Sequence, residues 1–240
     1  MFSLLLRALL HPFDYLPVFY THELTLTETT EVSPNIFTFV FIPKKTLHWK
    51  AGQHAVFSFP GTPIEGRGWR AFSIASSPEE NEIRIATIIK GEPSAFKKVL
   101  RALQPGEKIT MHGPFGEMYI KPSMKHIVGI AGGIGITPFR ALIKSIAAGK
   151  AQDTTLTLIY SAQGDYTFKE EFDALTSPHI HIIYTRTPEE VNTALTSLVS
   201  EYKNSASYFV SGSPGMIGTL RKTLQEKGVK DIVNDSFKGY

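Results

Sequence analysis

The chain of 240 residues contains no cysteine. This absence excludes disulfides, and it excludes zinc sites and iron–sulfur clusters that depend on cysteine ligands. Charge of one sign is not in large excess either, because 25 basic residues stand against 22 acidic ones. A net charge of +3 is too small to indicate nucleic-acid binding. The eight histidines show no spacing typical of a metal site, so we expect neither a metal nor a nucleic-acid partner.

A long hydrophobic run is also missing. The most apolar terminal stretch, residues 1–10, is interrupted by Arg7 and is about half as long as a membrane-spanning helix. No basic region precedes it and no small-residue cleavage site follows it, so a signal peptide is not expected. Its apolar residues recur at helical spacing, which predicts a helical segment over residues 1–20 that packs on the body of a cytoplasmic protein. The alternative is a peripheral contact with a membrane or with a partner.

The chain is long enough for two domains, and its two parts differ in the rhythm of their apolar residues. Residues 21–120 hold short β-branched and aromatic runs between turn residues, which predicts an antiparallel β-barrel with one helix after Ser94. Residues 121–240 alternate short apolar strands with helices, which predicts an α/β doubly wound parallel sheet. Predicted strands span 36–41, 54–59, 69–75, 83–89, 108–112, 126–131, 155–160, 179–184 and 208–211. Predicted helices of the second domain span 137–148, 168–175, 188–202 and 214–227.

The segment Arg70-Ala71-Phe72-Ser73-Ile74 places an arginine, an aromatic ring and a hydroxyl on one predicted strand. A flavin needs a cation for its phosphate, a flat apolar neighbour for its ring and a hydrogen bond near its reactive nitrogen N5. Because side chains alternate along a strand, Arg70 and Phe72 share one face, and Ser73 joins them only if the strand bends. Taken alone, the segment also fits an ordinary strand with a surface arginine.

A second segment, Gly91-Glu92-Pro93-Ser94, precedes the predicted helix of the first domain. A glycine turn before a helix leaves free amides and the positive end of the helix dipole, a combination that suits a pyrophosphate. Ser94 either caps this helix, contacts the phosphate, or does both.

A glycine-rich turn, Gly132-Gly133-Ile134-Gly135, lies between a buried strand and a helix with Pro138 in its first turn. Glycines here permit a tight turn and a close approach to a dinucleotide pyrophosphate. The turn is not the ordinary dinucleotide fingerprint, because the next strand ends in Tyr160-Ser161 without a carboxylate for a ribose hydroxyl.

These segments resemble the motifs of the ferredoxin–NADP reductase family. Arg70-Ala71-Phe72-Ser73 is similar to its arginine-x-tyrosine-serine signature, and Gly91-x-x-Ser94 is similar to its second flavin motif. Residues 132–138 resemble the family's glycine-glycine-x-glycine-x-threonine-proline turn. Further landmarks occur in the family's order at 103–107, 112–116, 160–161, 168–172 and 209–216.

The resemblance implies that the barrel binds a flavin. In this reading Arg70 holds the flavin phosphate, Phe72 packs on the isoalloxazine ring and Ser73 approaches N5. Phe72 stands where tyrosine is commoner, so the stacking surface is kept and the hydroxyl is lost. FAD is expected rather than FMN, which some relatives bind with the same arginine. The resemblance also implies that Thr87 and Ile88 line the flavin ring and that Pro93, Ser94 and Ala95 meet the pyrophosphate. Ile74 is a further implied flavin-binding residue.

The resemblance also implies that the second domain binds a nicotinamide dinucleotide. Ser211 replaces a cysteine beside the reacting carbon, unless it only fills a strand end, and Ser73 and Asp235 complete the expected catalytic residues. Arg186 favours NADPH, because a 2′-phosphate needs a cation. Glu189 and Glu190 would repel that phosphate if they face the site, which leaves NADH as the alternative. The other implied nicotinamide-site residues are Gly133, Ile134, Gly135, Thr137, Thr185, Gly212, Met216 and Tyr240.

The sequence therefore predicts a reductase in which hydride passes from NADPH or NADH to FAD. Single electrons would then pass to a separate acceptor protein such as ferredoxin or flavodoxin. The alternative is a non-catalytic or complex-bound flavin module that docks through its N-terminal apolar segment. A domain that kept the fold and binds no nicotinamide is a third interpretation.

Overall fold

The computed structural model describes residues 12–175 and 177–235, without the side chain of Phe13. Residue contacts divide the chain into two units, Met1–Tyr119 and Ile120–Tyr240. The first unit has a short helix α1, Pro12–Tyr15, followed by a 3-10 turn, Leu16–Phe19. These turns lie within the predicted helical segment, whose first eleven residues are outside the described part of the chain.

Six strands form one antiparallel sheet in the first unit, in the order β4-β3-β6-β1-β2-β5. The strands are β1 Thr21–Ser33, β2 Ile36–Pro43, β3 His54–Ser58, β4 Trp69–Ser73, β5 Ile83–Ile88 and β6 Lys108–Phe115. The edge strands β4 and β5 come into contact, so the sheet curls into a barrel. The predicted antiparallel barrel is confirmed. The longest strand, β1, is not among the predicted strands; it pairs with both β2 and β6.

Apolar side chains from alternating strand positions fill the barrel. In β1, Leu24 and Leu26 are buried two residues apart, on the same face. Helix α2, Ala95–Ala102, packs on this core through Phe96 and Leu100, which lie one helical turn apart. The ring of Phe96 also packs on Phe72 of β4, and this contact fixes the start of α2 beside that strand.

The second unit is a five-stranded parallel sheet with the order β11-β10-β7-β8-β9. Its strands are β7 His126–Gly132, β8 Thr155–Ser161, β9 Ile180–Thr185, β10 Ser207–Ser211 and β11 Ile232–Asp235. The connecting helices are α3 Thr137–Ala147, α4 Lys169–Asp173, α5 Pro188–Tyr202 and α6 Pro214–Glu226. The direction of strand order reverses between β7 and β10, so the predicted doubly wound sheet is confirmed.

Helices cover both faces of this sheet. Helices α5 and α6 pack on the face that carries Val128, Ile130 and Val210. Helix α3 covers the other face at Gly129, where an added Cβ would lie 2.5 Å from the ring of Phe139. The absence of a side chain at this position lets α3 approach β7 closely and brings the β7–α3 turn to the carboxyl edge of the sheet.

Candidate functional site

Strand β4 carries the segment predicted to bind the flavin. It pairs with β3 as far as Ser73. The chain then changes partner, because the Ala75 N–H donates to the carbonyl of Arg84 in β5 at 2.7 Å. The backbone therefore bends between Ser73 and Ala75, and it passes from one edge of the barrel sheet to the other.

The guanidinium of Arg70 is partly buried and held by backbone. Its Nη1 donates to the carbonyls of Arg67 and Trp69, both at 2.9 Å. Its central carbon lies 5.8 Å from the centre of the Phe96 ring in helix α2. Burial and, next, the charge of Arg67 lower the pKa of Arg70, although an arginine stays charged at neutral pH. A fixed, partly desolvated guanidinium of this kind is suited to bind a phosphate.

The neighbours of Arg70 on β4 are more deeply buried. Phe72 is 6% exposed, and its ring centre lies 5.8 Å from that of Phe57 and 6.1 Å from that of Phe96. Ser73 is also 6% exposed, and Ile74 is fully buried. Most of the Phe72 ring is therefore used by the barrel core, and its stacking on a flavin stays a prediction.

Helix α2 begins directly after Ser94, and its first intrahelical bond runs from the Lys98 N–H to the Ser94 carbonyl at 3.0 Å. The amides of residues 95–97 precede that bond and have no partner within the helix. Among the described residues, Ser94 Oγ is a buried atom without a hydrogen-bond partner, although a serine here usually caps its helix. At Gly91, φ is +56° and an added Cβ would meet no described atom within 4 Å.

This set of donors fits a diphosphate. The start of α2 offers amides that make no bond within the helix and the positive end of the helix dipole, and Arg70 supplies a full charge. The buried hydroxyl of Ser94 adds a donor that the described part of the chain does not itself use. Pro93 and Ala95 flank this hydroxyl and are partly buried. Residues from β4 and α2 together could therefore hold the diphosphate of FAD.

One residue at this place, Lys97, is not among the residues predicted from the sequence. Its Nζ donates to the carbonyl of Ile88 at 2.9 Å, at the end of β5, next to the buried Thr87. Burial and, next, the charge of Arg70 lower the pKa of Lys97. The signal available in the sequence was a lysine in the first turn of a helix, where acidic residues are favoured.

The glycine-rich turn of the second unit lies at the point where the strand order reverses. After β7, a 3-10 turn, Gly133–Ile136, leads into α3. Gly133 has a φ of +52°, and an added Cβ would meet no described atom within 4 Å. Thr137 Oγ1 donates to the Ile134 carbonyl at 3.1 Å and closes the turn. Nucleotide phosphates bind at such turns in doubly wound sheets, and the open side of Gly133 fits one.

The end of β10 packs directly against this turn. An added Cβ on Gly135 would lie 2.4 Å from the Ser211 carbonyl oxygen, and one on Gly132 would lie 2.1 Å from Met216 Sδ. One on Gly212 would lie 2.9 Å from the same sulfur. Gly135 is therefore needed for the close approach of the β7–α3 turn to β10, because it meets backbone, whereas Gly132 and Gly212 meet a flexible methionine side chain.

Two of the predicted catalytic residues are neighbours at this edge. Ser211 and Asp235 lie opposite each other in the parallel pair β10–β11. Their exposed fractions are 3% and 4%, so both lie within the packed edge. The third, Ser73, belongs to the first unit. Their roles in a reaction stay predictions.

Arg186, predicted to bind a 2′-phosphate, follows the carboxyl end of β9. Its Nη1 donates to the carbonyls of Ala162, at 3.2 Å, and Gly164, and the guanidinium lies 4.1 Å from the centre of the Tyr166 ring. The backbone N–H of Arg186 donates to the Glu190 carboxylate at 2.6 Å. A fixed cation and a carboxylate thus lie together at the position predicted to meet a 2′-phosphate.

Thr185, the residue before Arg186, is 3% exposed, and its Oγ1 donates to the Tyr160 carbonyl at 3.4 Å. Arg186 is exposed, so it is the better placed of the two to meet a ligand. Tyr160 is fully buried, and burial raises the pKa of its hydroxyl to about 12.

Some predictions cannot be placed on the structure. Tyr240 lies outside the described residues. Within 12–175 and 177–235, no group of three or more histidine, aspartate or glutamate side chains is arranged to hold a metal ion. No helix within those ranges is long and apolar enough to cross a membrane.

Comparison with known proteins agrees with this division into two cofactor sites. Residues 23–120 match the family model of the oxidoreductase FAD-binding domain, and residues 130–222 match that of the oxidoreductase NAD-binding domain. The first match covers nearly all of the barrel and the whole of α2, and the second covers the glycine-rich turn and Arg186.

Curated relatives include a subunit of the Na⁺-translocating NADH-quinone reductase of Haemophilus influenzae, which is 29% identical over 71% of this chain and 48% of its own length. The corresponding protein from Neisseria gonorrhoeae is 29% identical over 71% of this chain and 49% of its own length. The chain thus spans about half the length of the curated relatives it matches.

Solved structures share the fold. A ferredoxin NADP⁺ reductase from Neisseria gonorrhoeae with bound FAD and NADP has a TM-score of 0.73 at 20% identity, over 90% of this chain and 98% of that one. The cytochrome b5 reductase domain of Ulva prolifera nitrate reductase has a TM-score of 0.74 at 21% identity, over 90% and 97%.

The two matched domains and the fold define an oxidoreductase that binds FAD and a nicotinamide dinucleotide. The sequence motifs, the order of the domains and the shared fold identify the kind of flavoprotein. The chain belongs to the ferredoxin–NADP reductase family.

Proposed function

We propose that this protein takes electrons from NADPH, or from NADH, and delivers them singly to a separate acceptor protein. The observation that carries the proposal is the donor set on β4 and α2. There the charged Arg70 and the buried Ser94 Oγ, which has no partner in the described part of the chain, fit a diphosphate. Bound FAD would supply the redox chemistry, because a flavin accepts a hydride and releases electrons one at a time.

The residues of the chain would bind and orient the two cofactors. Arg70 and the amides at the start of α2 would fix the flavin diphosphate, which leaves little freedom for the rest of the molecule. The open side of Gly133 would admit the nicotinamide dinucleotide to the carboxyl edge of the second sheet. Ser211, which is packed against Gly135, would limit how the nicotinamide ring can lie.

The preference between NADPH and NADH would depend on whether the attraction of Arg186 for a 2′-phosphate exceeds the repulsion from Glu190. Its guanidinium is held in place by two carbonyls and a tyrosine ring, so binding a 2′-phosphate would order few additional groups. The carboxylate of Glu190 opposes the same phosphate. We propose that the cation prevails and that NADPH is preferred, with NADH as a slower donor.

The acceptor would be a separate one-electron carrier, for which ferredoxin and flavodoxin are the first candidates. Both carry single electrons, and the small positive charge of the chain suits an acidic partner. The fold neighbour from Neisseria gonorrhoeae is a ferredoxin NADP⁺ reductase, which makes ferredoxin a reasonable first choice.

Anaerobic reduction of the FAD-loaded protein tests the proposal. Addition of NADPH should bleach the flavin absorbance near about 450 nm, and NADH should do so more slowly. Ferredoxin or flavodoxin, added separately, should then restore the oxidised spectrum. A protein that binds FAD and stays oxidised with both nicotinamides, while dithionite bleaches it, would contradict the reductase. A protein that binds no FAD would contradict the whole assignment.

A second candidate is a module that works inside a larger complex. Leu16, Phe19 and Tyr20 are 47%, 66% and 63% exposed, and they follow the apolar segment 1–10. The curated relatives are subunits of a Na⁺-translocating NADH-quinone reductase. By analogy with them, we propose that this chain associates with a membrane. Replacing the three exposed residues by serine should abolish co-purification with partners in this case, while NADPH still reduces the flavin. Unchanged co-purification would contradict docking through this surface.

A further inference from the structure

The proposed flavin site leaves the role of Lys97 open. This lysine lies in the first turn of α2, three residues after Ser94, and the following inference rests on the proposed binding of FAD. Lys97 is partly buried, whereas its neighbour Lys98 is exposed and pairs with Glu92 at 3.0 Å. The two adjacent lysines therefore lie in different surroundings, although they carry the same charge.

The ammonium of Lys97 lies between the start of α2 and the end of β5. Its Nζ donates to the Ile88 carbonyl at 2.9 Å. Ile88 and the preceding Thr87 are the residues of β5 predicted to line the flavin ring. Lys97 therefore spans from the proposed diphosphate site toward the proposed ring site.

Three features of the position oppose a positive charge in the absence of a ligand. The positive end of the helix dipole lies at the first turn of α2. Burial lowers the pKa of Lys97, and the charge of Arg70 lowers it further. A bond to a neutral carbonyl offsets only part of these terms. An anion bound at the start of α2 would attract the ammonium and would offset the repulsion from the helix dipole and from Arg70.

We propose that Lys97 is a second phosphate-binding residue, which together with Arg70 holds the diphosphate of FAD from two sides. The ammonium would turn from the Ile88 carbonyl toward a phosphate oxygen, or donate to both, since a lysine has three donors. Arg70 then acts from β4 and Lys97 from α2. Two cations match the two negative charges of a diphosphate.

Binding of FAD to the apo protein tests this role directly. Lys97→Gln removes the charge and keeps an amide donor for the Ile88 carbonyl. Lys98→Gln removes the same charge from the exposed side of the same helix turn and is the matched control. Lys97→Arg keeps the charge and is the conservative variant. The measurements are the FAD dissociation constant by fluorescence titration at low and high salt, and the melting temperature of each apo protein.

We expect Lys97→Gln to weaken FAD binding by roughly tenfold or more, which corresponds to the loss of one charge-assisted hydrogen bond. Its FAD affinity should also depend less on salt than that of the wild-type protein. Lys97→Arg should restore most of the affinity, and Lys98→Gln should change it less than threefold. The apo melting temperatures should stay close to the wild-type value.

Two results would overturn the inference and are distinguishable from failure of the proposed function. Wild-type protein that binds FAD together with a Lys97→Gln variant of equal affinity and equal salt dependence would show that Lys97 does not contact phosphate. A Lys97→Gln variant that loses affinity only because its apo form melts far below wild type, with no recovery in Lys97→Arg, would assign a structural role. Wild-type protein without affinity for FAD would instead refute the flavin assignment as well.

Discussion

Gly135→Ala is predicted to damage the second unit more than any other single methyl group added to its glycine-rich turn. An added Cβ would lie 2.4 Å from the Ser211 oxygen, 2.6 Å from the Ser211 carbonyl carbon and 2.7 Å from the Gly212 nitrogen. Favourable contacts between such atoms need about 3.5 Å, so the overlap approaches 1 Å against three backbone atoms. Backbone cannot rotate away as a side chain can, and either β10 or the turn must move.

The cost follows from this overlap. Overpacking in a filled interior typically costs about 1–3 kcal/mol, and the purely backbone contacts place Gly135→Ala near the upper end, at about 3 kcal/mol. A loss of this size would lower the melting temperature by roughly 10 °C for a domain of this length. Displacement of Ser211 and Gly212 should also weaken NADPH binding, while FAD binding to the first unit stays as in the wild type.

Gly133→Ala is the matched control, two residues earlier in the same turn. Gly133 has a φ of +52°, yet an added Cβ meets no described atom within 4 Å. Its expected cost is the backbone strain alone, about 1 kcal/mol. The backbone angles alone would make Gly133→Ala the more destabilising variant, because Gly133 has a positive φ and Gly135 does not. Packing predicts the reverse, with Gly135→Ala the less stable of the two.

Urea unfolding followed by circular dichroism measures this difference. Both tryptophans, Trp49 and Trp69, lie in the first unit, so tryptophan fluorescence reports on the barrel and not on the unit that carries Gly135. A Gly135→Ala protein within about 0.5 kcal/mol of wild type would refute the packing argument. A Gly133→Ala protein less stable than Gly135→Ala would refute it equally.

Three further predictions concern cofactor binding and pH. Arg70→Ala should raise the FAD dissociation constant by roughly tenfold or more, and a purified variant that still carries full flavin would contradict the assigned role. Arg186→Ala should lower the ratio of NADPH to NADH turnover and Glu190→Gln should raise it, so an unchanged ratio in both would contradict the proposed balance. Burial lowers the pKa of His22 from its usual 6.5, so its neutral form is favoured in the folded chain. This contribution to stability is present above pH 6.5 and is lost as the pH falls below that value toward the folded pKa. In His22→Gln, the urea concentration at the unfolding midpoint should fall less than in the wild type between about pH 7 and pH 5. A pH profile identical to that of the wild type would contradict this.

Much of the fold could be predicted because local signals and packing agree. Helix α5 is observed over the predicted residues 188–202, since Thr187 caps it, Pro188 occupies its first turn and Val191 and Leu195 recur on its buried face. Strand β1 could not be predicted in the same way. Its thirteen residues are mostly polar, and only Leu24 and Leu26 are buried, so its place in the sheet is set by pairing with β2 and β6.

The candidate phosphate-binding residues were predicted from chemistry together with the family resemblance. A phosphate needs a cation and backbone amides, a requirement that Arg70 and the segment before Ser94 meet, and their roles stay predictions. The change of strand partner after Ser73 could not be found, because it depends on a hydrogen bond to Arg84 in a distant strand. The contact between Gly135 and Ser211 was hidden for the same reason, since strand order and not sequence brings them together.

Several residues that disagree with local preference lie together at the proposed flavin site. Stability alone would favour an acidic residue at the first turn of α2, a capping bond from Ser94 and few like charges beside Arg70. The chain instead has Lys97 in that turn, a Ser94 Oγ without a partner among the described residues, and two cations close together. Each departure costs stability in the isolated chain, and one bound anion would compensate all three. Because one bound phosphate would account for all three departures, together they support a phosphate at the start of α2 more strongly than any one of them does alone.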